Sequence, residues 1–271
     1  MAPVEATPVM TQSYARDGFG RSGAVLNDGT KWSFGYNDRS EVTSTQRRFT
    51  GGSSQAVGGQ QSEYGFDDVG NRTYHRFGGD GSGANLRESI YGAANAFNAL
   101  TSRTVPGMVE LSGEAPAALT LRGFADGQSF SLTRQEGERF FGEASVDNAA
   151  WSAYTRVKVV GLNTTGGIED LVSGARFVPR SPQAFTHDAD GNLLADGRWK
   201  YTWDAENRLI QVETRPEAVS AGAPRERLLF AYDSGSRRFR KEVQRWNATS
   251  STFVTHQALL FAYEGWNLLG N

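Results

Sequence analysis

Residues that could do chemistry are few in this chain, and their spacing argues against most reactions. The three histidines, His75, His187 and His256, lack the i, i+4 spacing that sets two imidazoles on one helix face around zinc. Cysteine is absent, which excludes disulfides, a thiolate nucleophile and cysteine-ligated metal. The four lysines (31, 158, 200 and 241) follow Thr, Val, Trp and Arg, so none completes a Walker-type phosphate loop. Gly79-Asp80-Gly81-Ser82-Gly83-Ala84 matches a dinucleotide fingerprint by letters alone; without a βαβ context it reads as a flexible loop. No Gly-x-Ser-x-Gly nucleophile elbow occurs. Asp188-x-Asp190-x-Asn192 opens like a calcium loop, but Leu193 stands where glycine is needed and Trp199 where the closing glutamate belongs, so a turn is expected. Glu136 and Glu138 have the residue type for glycoside hydrolysis, but paired carboxylates on a solvated strand face are the commoner arrangement. His187 occupies an aromatic slot of a recurring motif and reads as structural. The expectation is a non-enzyme with no cofactor and no metal.

One constellation stays open between two uses. Trp199, Tyr201 and Trp203 share a strand face at period two. Exposed, they would stack on sugar rings; buried, they are sheet core.

The elements that hold these residues are set by a repeated pattern: aromatic, Asp, two variable residues, Gly or a small polar residue, Asn or Arg, then an aliphatic. It reads Phe66-Asp67-Asp68-Val69-Gly70-Asn71-Arg72, His187-Asp188-Ala189-Asp190-Gly191-Asn192-Leu193, Trp203-Asp204-Ala205-Glu206-Asn207-Arg208-Leu209 and Tyr232-Asp233-Ser234-Gly235-Ser236-Arg237. Looser copies start at Arg16 and Tyr36, and a degenerate one at Tyr263. A longer block, Asp28-Gly29-Thr30-Lys31-Trp32-Ser33-Phe34-Gly35-Tyr36, parallels Asp196-Gly197-Arg198-Trp199-Lys200-Tyr201-Thr202-Trp203. The physics is strand, turn, strand. Aspartate bonds its own backbone two residues on, a residue tolerating positive φ closes the turn, and the flanking aromatics and aliphatics favour strands. Asp67, Gly70, Asp188, Gly191, Asp204, Asn207 and Asp233 are thereby structural turn residues. Asp28-Gly29 and Asp196-Gly197 are two-residue hairpin signals.

The copies start at 16, 36, 66, 187, 203, 232 and 263, so one long interval, 66 to 187, interrupts them. Within it, residues 105–180 read as an inserted sandwich-like module of short strands, with Ala125-Asp126-Gly127-Gln128 as a tight turn. Residues 43–62, rich in Gly, Ser and Gln, read as a loop or irregular hairpin tip, and 86–103 lean to strand. The organisation is therefore 1–104 as N-terminal hairpins, 105–180 as the insert and 181–271 as C-terminal hairpins.

With 271 residues the chain is long enough to bury a core. A formal charge of −2 gives no electrostatic reason to expect nucleic acid as partner, and no apolar run approaches the ~18 residues of a membrane span. The residues Met1 to Thr7 show no basic head or apolar segment of a secretion signal. Basic charge is lopsided, 24 Arg to 4 Lys, consistent with codon bias or with arginine laid on the 31 aromatic side chains.

The quoted motifs resemble the YD repeats of Rhs proteins, shared with teneurins and insecticidal toxin-complex shells. The resemblance spans about 16–100 and 185–271 and is most specific over Phe185 to Leu269, although Glu264 stands where Asp is usual. It implies an all-β fold: hairpins forming a curved, spiralling antiparallel sheet, an open fragment of a β-cocoon, with the small β insert. It implies a structural shell role, enclosing or presenting a C-terminal effector that this chain lacks, since Asn271 precedes any self-cleavage segment or toxin. The implied partners are that effector domain of the parent protein, secretion-system components or cell-surface glycan, with self-association through open sheet edges. The implied location is secreted or at the cell surface, as part of a larger protein. A cell-surface carbohydrate-binding module is the alternative function.

Overall fold

The computed structural model describes residues 12–26, 29–52, 54–96 and 98–270. Asp28 of the first Asp-Gly hairpin signal, Asn271 and the N-terminal stretch examined for a signal lie outside the described residues. Those described are nearly all β, in antiparallel sheets of which none closes into a barrel. No helix among them is long and apolar enough to cross a membrane.

The strands run β1 (Gln12–Arg16), β2 (Ser22–Leu26), β3 (Thr30–Tyr36), β4 (Val42–Phe49), β5 (Ala56–Phe66), β6 (Arg72–Gly78), β7 (Leu86–Ile90), β8 (Ser102–Arg103), β9 (Met108–Glu114), β10 (Thr120–Ala125), β11 (Gln128–Phe130), β12 (Thr133–Arg134), β13 (Arg139–Ser145), β14 (Ala153–Leu162) and β15 (Ile168–Val178). They continue with β16 (Gln183–Ala184), β17 (Thr186–His187), β18 (Leu193–Ala195), β19 (Trp199–Trp203), β20 (Leu209–Thr214), the helix α1 (Pro216–Ser220), β21 (Glu226–Tyr232), β22 (Arg238–Asn247), β23 (Thr252–Leu260), β24 (Ala262–Glu264) and β25 (Asn267–Gly270). Two seven-stranded meanders, β1 to β7 and β17 to β23, keep their strands in sequence order. The strands between them form the sheets β11-β10-β14-β15 and β12-β13-β9 and the pair β16-β8.

The chain divides into two compact units. One takes in the chain up to Ile90, Met108–Ser145 and Arg156–Gly174; the other takes in Tyr91–Gly107, Val146–Thr155 and Ala175–Asn271. In the first unit the interior is formed by Phe49, Ala56, Val57, Val109, Phe140 and Phe141, all under 9% exposed. In the second it is thinner, with Val178, Val212, Ala218 and Ala223 buried. There the buried Asn148 side chain donates to the carbonyls of Val105 and Pro179 at 3.0 and 2.8 Å, tying three connecting segments together.

Several local expectations need correction. Residues 43–62 are not a loop: most lie in β4 and β5, which pair Thr45 with Ser62 and Gln46 with Gln61, and the described residues between the two strands are irregular. Their polar composition misled because backbone pairing needs no apolar side chain. The Asp196 hairpin forms, but its loop residues are Gly197 and Arg198, closed by the Asp196 N–H on the Trp199 carbonyl at 3.0 Å. The Asp196 carboxylate accepts the N–H groups of Arg198 and Trp199, both at 2.7 Å, so side-chain bonding shapes this turn in place of a positive φ at Gly197. The copy at Tyr263 folds as a tighter hairpin, Glu264 opposite Asn267. Asp126-Gly127 is the tight turn expected, with φ of 48° and 85° at its two central residues; both are positive, as the strand twist demands. The helix α1 was not anticipated, although Pro216 at its first turn is a start signal.

Candidate functional site

The repeated pattern builds one turn many times. At Asp204 the backbone N–H donates to the Arg208 carbonyl at 3.0 Å, and the Asn207 N–H donates back to the Asp204 carbonyl at 3.0 Å. One carboxylate oxygen accepts the N–H groups of Glu206 and Arg208, each at 2.9 Å, and the other accepts Nε of Arg208 at 2.8 Å. Asn207 sits at φ 56° to close the turn, a conformation asparagine and glycine enter at low cost. Asp67 with Gly70 (φ 90°), Asp188 with Gly191 (φ 85°) and Asp233 with Ser236 (φ 59°) repeat the same bonds. Asp17 and Asn37 do so as well. The register slips at the aromatic before the turn, at Tyr36, Phe66, Trp203 and Tyr232, which is a bulge that the closing positive φ produces.

Three further turns of this kind lie outside the pattern, at Asp80, Asn163 and Asn95, the last at an Asn-x-x-Asn spacing that itself suits a turn, each closed by a positive φ three residues on. They lack the leading aromatic; an Asp or Asn with Gly or Asn at the fourth position is the signal that finds them. The segment read as a flexible loop, 79–84, is therefore a closed turn. Asp80 is held at about 2, first by the Ser82 hydroxyl and then by the Asn85 amide and backbone N–H groups.

The copies also stitch to one another. In the last three copies the aromatic donates to the carbonyl five residues past the aspartate of the copy before it. Trp203 Nε1 reaches Leu193 O at 2.8 Å, the Tyr232 hydroxyl reaches Leu209 O at 2.9 Å, and the Tyr263 hydroxyl reaches Arg238 O at 3.0 Å. The arginine at the turn's end, paired with its own aspartate, also lies over the next aromatic: Arg21 on Tyr36 at 4.5 Å, Arg208 on Tyr232 at 5.3 Å and Arg237 on Tyr263 at 5.7 Å. Neighbouring turns are bridged as well, by Arg39 donating to the Asp67 and Asp68 backbone carbonyls at 2.6 Å and by the Asn192 side chain donating to the Asn207 side-chain Oδ1 at 2.8 Å. Arginine's forked planar head can bond and stack at once, which lysine cannot do.

Electrostatics follow from this bonding. The Asn71 amide is the largest cause lowering Asp67, and the backbone N–H groups of Arg208 and Arg237 lead at Asp204 and Asp233. At Asp17 and Asp188 desolvation pushes upward but is outweighed by bonds from Arg21 and Asn192. Burial pushes the Tyr232 phenol up. Tyr232→Phe is expected to cost about 1 kcal/mol by orphaning the Leu209 carbonyl, measured by urea unfolding; no loss would show that the stitch carries no stability.

The other candidates are dispersed. Trp199, Tyr201 and Trp203 are each half-buried on β19. The Tyr201 hydroxyl donates to Asp196 at 2.9 Å, its phenol pushed up by burial and the neighbouring charge, and Arg198 lies 4.6 Å from the Trp199 ring. The Glu138 carboxylate accepts the Ala117 N–H at 3.0 Å, anchoring a connection. His75 stacks on Tyr64 at 4.7 Å and lies tilted against Phe77 at 5.0 Å; His187 and His256 lie on separate strands, β17 and β23. Among the described residues no group of three or more His, Asp or Glu is gathered to hold a metal.

No protein-family model and no curated protein sequence matches the chain. A solved structure similar to it is the "Crystal Structure of TcdB2-TccC3 without hypervariable C-terminal region", with a TM-score of 0.35 and 13% identity, covering 94% of this chain and 13% of that one. The chain thus spans a small part of that protein's length, and a likeness at this score assigns neither fold family nor function.

Proposed function

We propose that this chain is a non-enzymatic shell segment of the Rhs/YD-repeat kind, working by steric enclosure. The observation that carries the reading is the stitch from copy to copy. The aromatic, aspartate and arginine of the pattern are engaged in closing a turn and fastening it to its neighbour, which is how a repeat array shares one continuous structure. In this reading the parent protein is secreted or displayed at the cell surface. Its β wall holds a C-terminal effector away from solvent and targets, with secretion-system components as further partners. Cryo-electron microscopy of the parent protein is the test: a hollow sheet is expected, and a solid-cored globule overturns enclosure.

The carbohydrate-binding alternative draws on the half-exposed row at Trp199, Tyr201 and Trp203. With the Tyr201 and Trp203 polar groups already bonded within the chain, it requires stacking through ring faces. Glycan-array binding that vanishes in Trp199→Ala and Trp203→Ala with folding intact would support it; no binding to any glycan would remove it.

A further inference from the structure

We propose that β15 is a pairing edge at which two copies of this chain associate, antiparallel about Ser173. This goes beyond the shell reading and does not rest on it.

β15 is the outer strand of the sheet β11-β10-β14-β15. It is eleven residues long, and residues 168–176 are exposed without interruption, including Ile168 at 66%, Leu171 at 49% and Val172 at 64%. A long exposed edge is a template for strand addition, and natural edges are usually blunted with charged side chains, lysine above all, with proline or with a bulge; the charges of β15 are Glu169, Asp170 and Arg176. The sequence of β15, IEDLVSGARFV, contains neither lysine nor proline.

Its own residues point to a second copy as the occupant. A two-fold axis perpendicular to a sheet sets a residue opposite its own counterpart, because opposed residues in an antiparallel pair share a face. Ser173 is the middle residue of Ile168–Val178, so pairing about it sets exposed residues opposite exposed residues over 170–176. The same register sets Asp170 of each copy opposite Arg176 of the other, giving two cross-strand pairs of opposite charge. It also sets Leu171 opposite Ala175 and Val172 opposite Gly174, a large residue against a small one each time. Moving the axis to Val172 or Gly174 removes the charge match. Among the described residues neither Asp170 nor Arg176 has an ion-pair partner. The edge strand β23 has no comparable code: it carries no carboxylate, lysine or arginine, and self-pairing about its middle residue sets His256 against His256.

The absence of cysteine makes the register testable in the full chain. Opposed residues have Cα atoms about 4.5–5.5 Å apart, within disulfide range. Ser173→Cys is therefore expected to give a disulfide-linked dimer under mild oxidation. Ala175→Cys, whose counterpart would lie roughly 13 Å along the strand, is expected to cross-link far more slowly. Sedimentation equilibrium should show a dimer for the unmodified chain and association about tenfold weaker for Asp170→Arg or Arg176→Asp alone. The double exchange should restore it, with far-ultraviolet circular dichroism confirming that each variant is folded. A monomer at every concentration overturns the proposal. So do equal cross-linking of the two cysteine variants, single reversals without effect, or a His256→Cys variant that cross-links in place of Ser173→Cys.

Discussion

Truncating Phe141 to alanine is expected to destabilise the first unit by about 3–5 kcal/mol, the range for removing a buried aromatic side chain. Phe141 lies in β13 and is 8% exposed. Its ring fills the space left by glycines of β5: a Cβ built on Gly58 would sit 2.7 Å from Phe141 Cγ. The wall that the ring meets at Gly58 is backbone, with no side chain of its own to move into the void. The converse change, Gly58→Ala, overpacks the same contact and is expected to cost about 1–3 kcal/mol. Phe19, 85% exposed at a turn, provides the contrast; its replacement by alanine should stay within about 0.5 kcal/mol. Urea unfolding followed by tryptophan fluorescence measures all three. A Phe141→Ala loss no larger than that of Phe19→Ala would refute this account of the core.

The second large effect is acid sensitivity, spread over many turns at once. Asp17, Asp67, Asp188, Asp204 and Asp233 are each held below the ordinary aspartate value in the folded chain, and Asp80 is held at about 2. Glu242 is also lowered, first by the Thr255 hydroxyl and then by the Gln244 amide. A group whose folded value is depressed contributes its stability fully above the unfolded value, about 4 for aspartate, and loses it as the pH falls toward the folded value. The Tm is therefore expected to be level above about pH 5 and to drop progressively between about pH 4 and about pH 2. Asp80→Asn should flatten part of that fall, since an amide does not titrate. Calorimetry across this range is the measurement; a level Tm down to pH 2.5 would mean that the turn carboxylates do not support the fold.

Both expectations trace to the division of labour in the chain. The turns are secured by bonds that run from a residue to its fourth neighbour and by one stitch to the adjacent copy. The packed interior is a limited set of buried Val, Ala and Phe side chains, in which Phe141 fills the space beside Gly58. Charge-assisted bonds at the turns are short, as at Arg208 Nε on Asp204 at 2.8 Å, but solvated. Their effect is accordingly collective, whereas that of Phe141 is local.

How much of this was legible beforehand depends on the reach of each interaction. The turns at Asp67, Asp188, Asp204 and Asp233 could be read from residue types because all their bonds close within five residues. Strand alternation at Trp199-Lys200-Tyr201-Thr202-Trp203, and the Asp126-Gly127 turn with its two positive φ angles, were readable for the same reason. The turns at Asp80 and Asn163 obey the same local rule and were missed only because the pattern demanded an aromatic that the turn does not need.

The amino-acid order alone thus determined that the chain is antiparallel β and where most of its reversals fall, since those depend on backbone preferences and neighbouring side chains. It did not determine that the polar residues 43–62 would be strands, because their pairing to one another and to β6 is backbone bonding without apolar periodicity. Nor did it determine that Gly58 would face Phe141, or that β15 would be left as an outer strand. Those outcomes were decided by tertiary structure: each joins residues far apart in the chain, and such contacts are fixed only when sheet order and register are set together.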